Sequence, residues 1–421
     1  MSDSRWHVHF FGGEKVQWAL DEDLRLAREA LADDVLPGPL ASSRIVHSAY
    51  WPRVLDCGLG ALQGKTVLCF ADNPPAFNLT QPGFLSAASR VDLWIARTRE
   101  AQAQFEVLGL PVARAPYSVD ESIFRPIPPA PARRQELDIP EDAFVIGNFH
   151  RDSEGANLLA PKRQKGADHF LEIACRLHQR LRRLVVLLAG PRRSYLRRGL
   201  QAAGVPFRFV GTVLDDATDD YSVNILPRAR LNDLYQFLDV CLISSRWEGG
   251  PHSLLESLFA GRPVVSSPVG MARDILPPSC LFRTIDEAVA ILERHAHSHS
   301  LRKPTEAAQK VAAAQNTQAA LRQSLLAIYA KLPRGAEPRE RALFASGLHL
   351  LHRVKSRFGP APEVENKRSK ITGDFIRKLA AAPRPLLDEF VETSLEPTRD
   401  RKQSRRLLLE AAQMCQPRNQ A

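Results

Sequence analysis

SSRWEGGPHSLLESLFAGRPVVSS, residues 244–267, is the stretch from which the rest of the chain can be read. The residues before it, Asp239 to Ile243, are apolar and β-leaning enough for a short buried strand. The residues after it, Pro263 to Ser266, read as the next strand. Between them lies a helix with clear ends. Pro251 suits the first helical position, and Gly261 suits the left-handed residue past the last turn. At 100° per residue, Leu254, Leu255, Leu258 and Phe259 gather on one face and pack on a sheet. Ser253, Glu256, Ser257 and Ala260 gather on the other. That face is small and nearly uncharged, as expected of a wall that something approaches closely.

The start of this helix carries the chemistry. The amides of His252, Ser253 and Leu254 are expected to lack partners inside the helix, and Gly249-Gly250 lets backbone come near a ligand. Free amides at the positive end of a helix dipole make a seat for phosphate. Glu248 precedes the turn and Glu256 follows eight residues later. Carboxylates do not bind phosphate; they accept hydrogen bonds from hydroxyls. Phosphate-binding amides flanked by hydroxyl acceptors describe a site for a sugar nucleotide. The bland alternative is a strand–helix–strand unit with two surface glutamates.

Glu248 and Glu256 with seven residues between them, Gly-Gly-Pro after the first and Ala-Gly-Arg-Pro-Val-Val after the second, resemble the signature of family 4 of the retaining GT-B glycosyltransferases. The resemblance covers residues 110–330 well and 1–110 loosely. It implies a GT-B fold: two Rossmann-like, doubly wound α/β domains facing a cleft. It also implies that Glu248 holds hydroxyls of the reacting sugar and Glu256 the ribose. Such enzymes have an Arg after the first strand of the second domain and a Lys-Gly opening the next helix, both holding the diphosphate. Lys165-Gly166 matches that pair. Arg151 stands where the Arg is expected, with a longer interval than usual, so Lys162 and Arg163 compete with it. Cations there offset charge building on the leaving diphosphate. GT-B enzymes generally need no metal, so no cofactor beyond the sugar-nucleotide substrate is expected.

Around these positions the pattern repeats. Residues 143–147, 184–190 and 207–211 read as strands alternating with helices, which implies a parallel, doubly wound sheet. In the first half, residues 7–11, 44–48, 65–70 and 91–95 read the same way. Gly12-Gly13, between the first strand and a helical pattern from Glu14 to Leu31, frees backbone for close approach, a place the family sets near the donor phosphates. An ordinary tight turn explains that pair equally well. Many family members carry a histidine after the strand that here ends at Phe70. This sequence has Asp72 and Asn73 instead, with His47 at the end of the preceding strand. Which of the three serves the acceptor side is open. Gly64-Lys65-Thr66 is no phosphate-binding loop, since Leu59 stands where a glycine is needed and a strand follows instead of a helix.

Pro126 to Pro140 holds five prolines and reads as a semi-rigid linker. The expected domains are therefore 1–125 and 141–330, with a tail over 331–421. The net charge is +10, and from Lys331 onward 19 Lys and Arg face 11 Asp and Glu, so +8 of it lies in the tail. An apolar-then-basic helix over Ala342–Phe358 suits either an anionic membrane surface or a strap across both domains, and the last residues read as disordered. The six cysteines are scattered, with no disulfide framework or zinc spacing. No signal region or membrane-length apolar run is present. A cytoplasmic protein is expected, peripheral on the inner face of the membrane if the tail binds there.

Several lesser features read as structural. Asp21–Asp23 and Asp215–Asp220 suggest loop and helix-start acids, His295, His297 and His299 surface histidines, and Arg192, Arg193, Arg197 and Arg198 a solvated helix face. With no interleaved aromatic apart from Tyr195, nucleic acid is not an expected partner. The resemblance implies a nucleotide-sugar donor and a saccharide or lipid-linked acceptor, in cell-surface polysaccharide or glycolipid synthesis. The competing reading is a GT-like protein that binds a sugar nucleotide or a protein partner without transferring sugar.

Overall fold

The computed structural model describes residues 5–13, 19–73, 78, 84–88, 90–107, 110–128, 131–153, 155, 157–215 and 218–332. The chain forms two compact units. One takes Met1–Ala115 and resumes at Leu326; the other is Pro116–Leu325. The basic tail beyond Leu332, with its amphipathic stretch, lies outside the described residues.

The first unit carries six parallel strands: β1 (Trp6–Phe11), β2 (Val35–Pro37), β3 (Ile45–Ser48), β4 (Thr66–Ala71), β5 (Leu93–Ala96) and β6 (Val112–Arg114). Their order is β2-β1-β3-β4-β5-β6. The chain therefore changes direction across the sheet between β1 and β3, and the ends of those strands border its switch point. The second unit carries β7 (Phe144–Asn148), β8 (Leu184–Ala189), β9 (Phe207–Val210), β10 (Val240–Ile243) and β11 (Val264–Ser266). Their order is β11-β10-β7-β8-β9, again all parallel, with the switch between β7 and β10.

Central strands of such sheets are covered on both faces, so they read as continuous apolar runs. All six residues of β8 and all four of β10 are buried. The helix Ala167–His178 contributes Ala167, Phe170, Ile173, Ala174 and Leu177, a helical stripe, to the same core. One device recurs in both sheets. Asp92, just before β5, accepts the Val67 amide at 2.8 Å, and Asp239, just before β10, accepts the Val145 amide at 2.7 Å. Each fixes the start of one strand against its neighbour.

Some expectations need revision. The edge strands β2 and β6, three residues each, are too short to leave a periodic signal. The units divide at Ala115/Pro116 instead of near residue 125. The proline-rich stretch contains a helix, Pro131–Glu136, and is bound to the second unit: the Arg125 and Ile127 amides donate to Asn232 and Gln236. His295 is no surface histidine. It is buried beside Phe144, its Nδ1 accepts the Leu301 amide at 3.1 Å, and burial pushes its pKa down to about 4. Asp23 is a buried partner of Arg97 at 2.9 Å. Among the described residues, no helix is long and apolar enough to cross a membrane.

Candidate active site

At the switch point of the second sheet, the segments following β7 and β10 bring together residues far apart in sequence. Glu248 is buried, and Lys165 Nζ lies 2.7 Å from its Oε1 and 2.6 Å from its Oε2. The Ser245 hydroxyl donates to Oε1 at 2.6 Å. Burial alone would raise the carboxyl pKa. The Lys165 ammonium, with the Ser245 hydroxyl, outweighs it and holds Glu248 below the ordinary glutamate value. Glu248 is thus an ionised hydrogen-bond acceptor. An ammonium has three N–H donors, so Lys165 keeps one beyond the two aimed at Glu248.

The loop carrying Lys165 is set by its neighbours. Ser244 Oγ donates to the Gly166 carbonyl at 2.8 Å, and the Arg246 amide to the Gln164 carbonyl at 2.9 Å. The Arg246 guanidinium grips both oxygens of Asp168 at 2.6 Å. Gly166 itself has φ +61°, and a Cβ there would lie 1.9 Å from the Ser244 carbonyl oxygen. Only glycine allows this approach.

The glutamate helix runs His252–Phe259, with Pro251 at its N-cap and Gly261 left-handed past its end at φ +83°. No side chain caps its start. The Leu254 amide, expected to be free, donates instead to the Pro251 carbonyl at 2.9 Å. Of the three amides expected to serve phosphate, that of Leu254 is thus already engaged. Gly250 has a packing duty: a Cβ there would lie 2.2 Å from the Tyr117 ring, which also meets His252 edge-on. Glu256 is buried and held at both oxygens, by the Tyr235 hydroxyl at 2.8 Å and by Arg228 at 3.4 Å.

Arg151, expected beside the diphosphate, is half-buried and lies close enough to Asp219 to help hold that carboxyl down. Two other groups belong with Glu248 and Lys165: His150, on which both act, and Arg193, which acts on the same ring. His150 follows β7, and its Nε2 lies 2.5 Å from Ser253 Oγ. Arg193, expected on a solvated helix face, is wholly buried; it donates to Asn148 Oδ1 at 3.0 Å, with Asp152 3.9 Å from its Nε. Burial lowers the Arg193 pKa and pushes Asp152 up to about 6. Arg193 left no sequence signal because its neighbours Arg192, Arg197 and Arg198 share its type but not its surroundings.

In the first unit, Gly12 follows β1 with φ +96°, and a Cβ there would lie 3.1 Å from Ser48 Oγ at the end of β3. Gly13 lies against Asp21, whose Oδ1 would be 2.4 Å from an added Cβ. Asp72 and Asn73 are half-buried just past β4; the Asn73 carbonyl accepts from Asn78 at 3.1 Å. His47, one of the three open candidates for the acceptor side, is fully buried among Phe10, Phe70 and Tyr329, its Nδ1 2.9 Å from the Tyr329 hydroxyl. Burial and Arg97 push its pKa down to about 3. It is a neutral core histidine. Among the described residues, no three His, Cys, Asp or Glu side chains are grouped to hold a metal ion.

A family model described as "Glycosyl transferases group 1" matches residues 156–293, about a third of the chain. That span holds Lys165, Arg193, Glu248, Ser253 and Glu256. No curated protein matches the sequence. Among solved structures, HepE of Anabaena, in complex with UDP and glucose, is similar at a TM-score of 0.60 and 14% identity, over 78% of this chain and 100% of that one. Sucrose-phosphate synthase of Thermosynechococcus elongatus is similar at 0.55 and 14%, over 74% and 78%. A glycosyltransferase of Rickettsia africae is similar at 0.54 and 12%, over 78% and 98%. The two parallel, doubly wound units are those of the GT-B fold.

Proposed function

We propose that this GT-B chain, whose second unit carries the group 1 glycosyl transferase match, moves a sugar from a nucleoside-diphosphate sugar to a hydroxyl acceptor with retained configuration. The observation that carries this is the buried Glu248 carboxylate, ionised and bridged by Lys165, at the switch point between β7 and β10. In this reading Glu248 accepts hydroxyls of the transferring sugar. The Oε2 oxygen, which Ser245 does not touch, is the better placed of the two. Lys165 gives its remaining N–H to the phosphate next to the breaking bond, where negative charge grows as the diphosphate leaves. The His252 and Ser253 amides receive the same charge at the positive end of their helix. Glu256, steadied by Tyr235 and Arg228, accepts the ribose hydroxyls. The departing phosphate then takes the acceptor's proton on the same face, so no separate strong base is required. UDP-glucose is the first donor to test, since similar folds have been solved with UDP and glucose. The acceptor in this reading is a surface polysaccharide or glycolipid, as in the family the sequence resembles.

The test is donor turnover. Incubation with UDP-, GDP-, ADP- and dTDP-sugars should release nucleoside diphosphate slowly from one of them. Glu248→Gln and Lys165→Ala should each lower that rate by about 100-fold or more, the scale of losing one charge-stabilising group. Turnover that survives both substitutions overturns the assignment. Tight binding with no turnover, on any acceptor, favours the non-transferring reading instead.

A further inference from the structure

His150 stands in this site, and the reaction above gives it no task. Its Nε2 is tied to Ser253 Oγ on the first turn of the glutamate helix. Its Nδ1 is sealed from solvent and has no hydrogen-bond partner. Charged groups from three neighbouring segments act on the ring: Lys162 and Lys165 from the loop before Ala167–His178, Arg193 from the turn after β8, and Glu248 from the segment after β10. Three cations and one carboxylate thus act on it, and Asp152 lies 3.9 Å from one of those cations, Arg193. Burial, followed by Lys165, pushes the imidazole down to about 3, with Glu248 opposing.

A neutral imidazole in that setting has one natural arrangement. The Nε2–H donates to Ser253 Oγ, and Nδ1 presents a bare lone pair to the positive surroundings. The Ser253 hydroxyl keeps its own proton to donate to an anion. The ring therefore has an open place for one more proton, withheld first by burial and then by the cations around it.

Resting on the proposed donor site, we propose that seating a nucleoside diphosphate draws one proton from solvent onto His150 Nδ1, making the ring a further cation of the diphosphate seat. No bond to the ligand forms or breaks; the ring goes from neutral to +1 and the buffer loses the proton. The two phosphate charges oppose both the cations and the burial that keep the ring neutral. At an effective dielectric of about 20, charges within about 6 Å act strongly enough to do so. By linkage, whatever raises the ring's proton affinity on binding makes donor binding tighter as pH falls. Between pH 8 and pH 6 the Kd for donor should fall by about threefold to tenfold, tenfold per pH unit being the ceiling for a single proton.

Titration calorimetry on the full chain tests this, with UDP-glucose as probe because neither of its phosphates titrates near neutral pH. Binding heat is measured at pH 6.5 in two buffers of different ionisation enthalpy. The heats should differ in the sense of proton uptake, and His150→Gln, whose amide still reaches Ser253, should bind with buffer-independent heat. Equal heats in both buffers for the native chain, or an unchanged difference in His150→Gln, overturn the inference while leaving the donor site intact. If UDP-, GDP-, ADP- and dTDP-sugars all fail to bind, the donor site itself is overturned and the inference with it. Should His150→Gln not fold, ring ¹⁵N shifts of His150 decide: shifts that stay neutral on donor addition overturn the inference.

Discussion

At the scale of single residues, the local part of the site is legible in sequence and the rest is not. Glu248, Gly249, Gly250 and Glu256 sit within nine positions of one another, so spacing on a short helix places them. Lys165 is recognisable through the family resemblance, whose pattern has a Lys-Gly pair opening that helix. Arg193, His150 and Tyr235 are not recognisable, because what makes them matter is burial beside residues up to 103 positions away. The Lys165–Glu248 pair also stabilises the fold. Lys165→Met leaves a buried carboxylate without its cation and should cost about 1–3 kcal/mol, below the figure for a fully buried pair because Lys165 is about a quarter exposed. Adding Glu248→Gln should recover most of that loss. The Glu248 pKa lies below the ordinary value of 4.5, so its contribution is fully present above 4.5 and is lost as pH falls through the lowered value. Urea unfolding at pH 7 and again in acid checks both points; a Lys165→Met defect that persists unchanged in acid contradicts this account.

At the scale of elements, the strands that fill each core announce themselves as apolar runs, whereas β2 and β6 at the edge of their sheet do not. The helix His252–Phe259 is legible from its Pro and Gly ends, yet its first turn is not: the Leu254 amide turns back to Pro251. Sequence shows where a helix starts but not which of its first amides a local turn consumes. The loop that presents Lys165 depends on one glycine. Gly166→Ala adds a Cβ 1.9 Å from a backbone oxygen at the end of a buried strand, where nothing can yield, and adds left-handed strain as well. It should destabilise the second unit by about 3 kcal/mol or more and displace Lys165 from Glu248. A urea midpoint equal to that of the native protein would show that the loop tolerates what the geometry forbids.

At the scale of the whole molecule, the chain leaves the first unit at Ala115 and returns at Leu326, and Tyr329 is part of that return. Its hydroxyl meets His47, 282 positions earlier, and its ring packs edge-on against Trp6. Tyr329→Phe removes the partner of a buried imidazole nitrogen and should cost about 1–2 kcal/mol. His47 titrates at about 3 in the fold and near 6.5 when unfolded. The unfolded chain therefore takes up a proton that the folded one refuses, and the histidine's contribution, complete above pH 6.5, declines as pH falls toward 3. The slope approaches about 1.4 kcal/mol per pH unit. Replacing His47 by Gln should flatten the loss of urea resistance between pH 6.5 and 5; an unflattened profile removes His47 as its source. The sequence by itself determined the alternation of strands and helices, the two parallel sheets and the Glu248–Glu256 helix. Those follow from periodicity, caps and short-range spacing, which are local properties of the chain. Only the tertiary structure decided that His47 is core, that Arg193 is buried, that Ser253 carries His150 and that Arg151 lies by Asp219. Each of these depends on the environment that distant segments create, and burial, which sets both hydrogen-bond partners and pKa, is not a property of any one stretch.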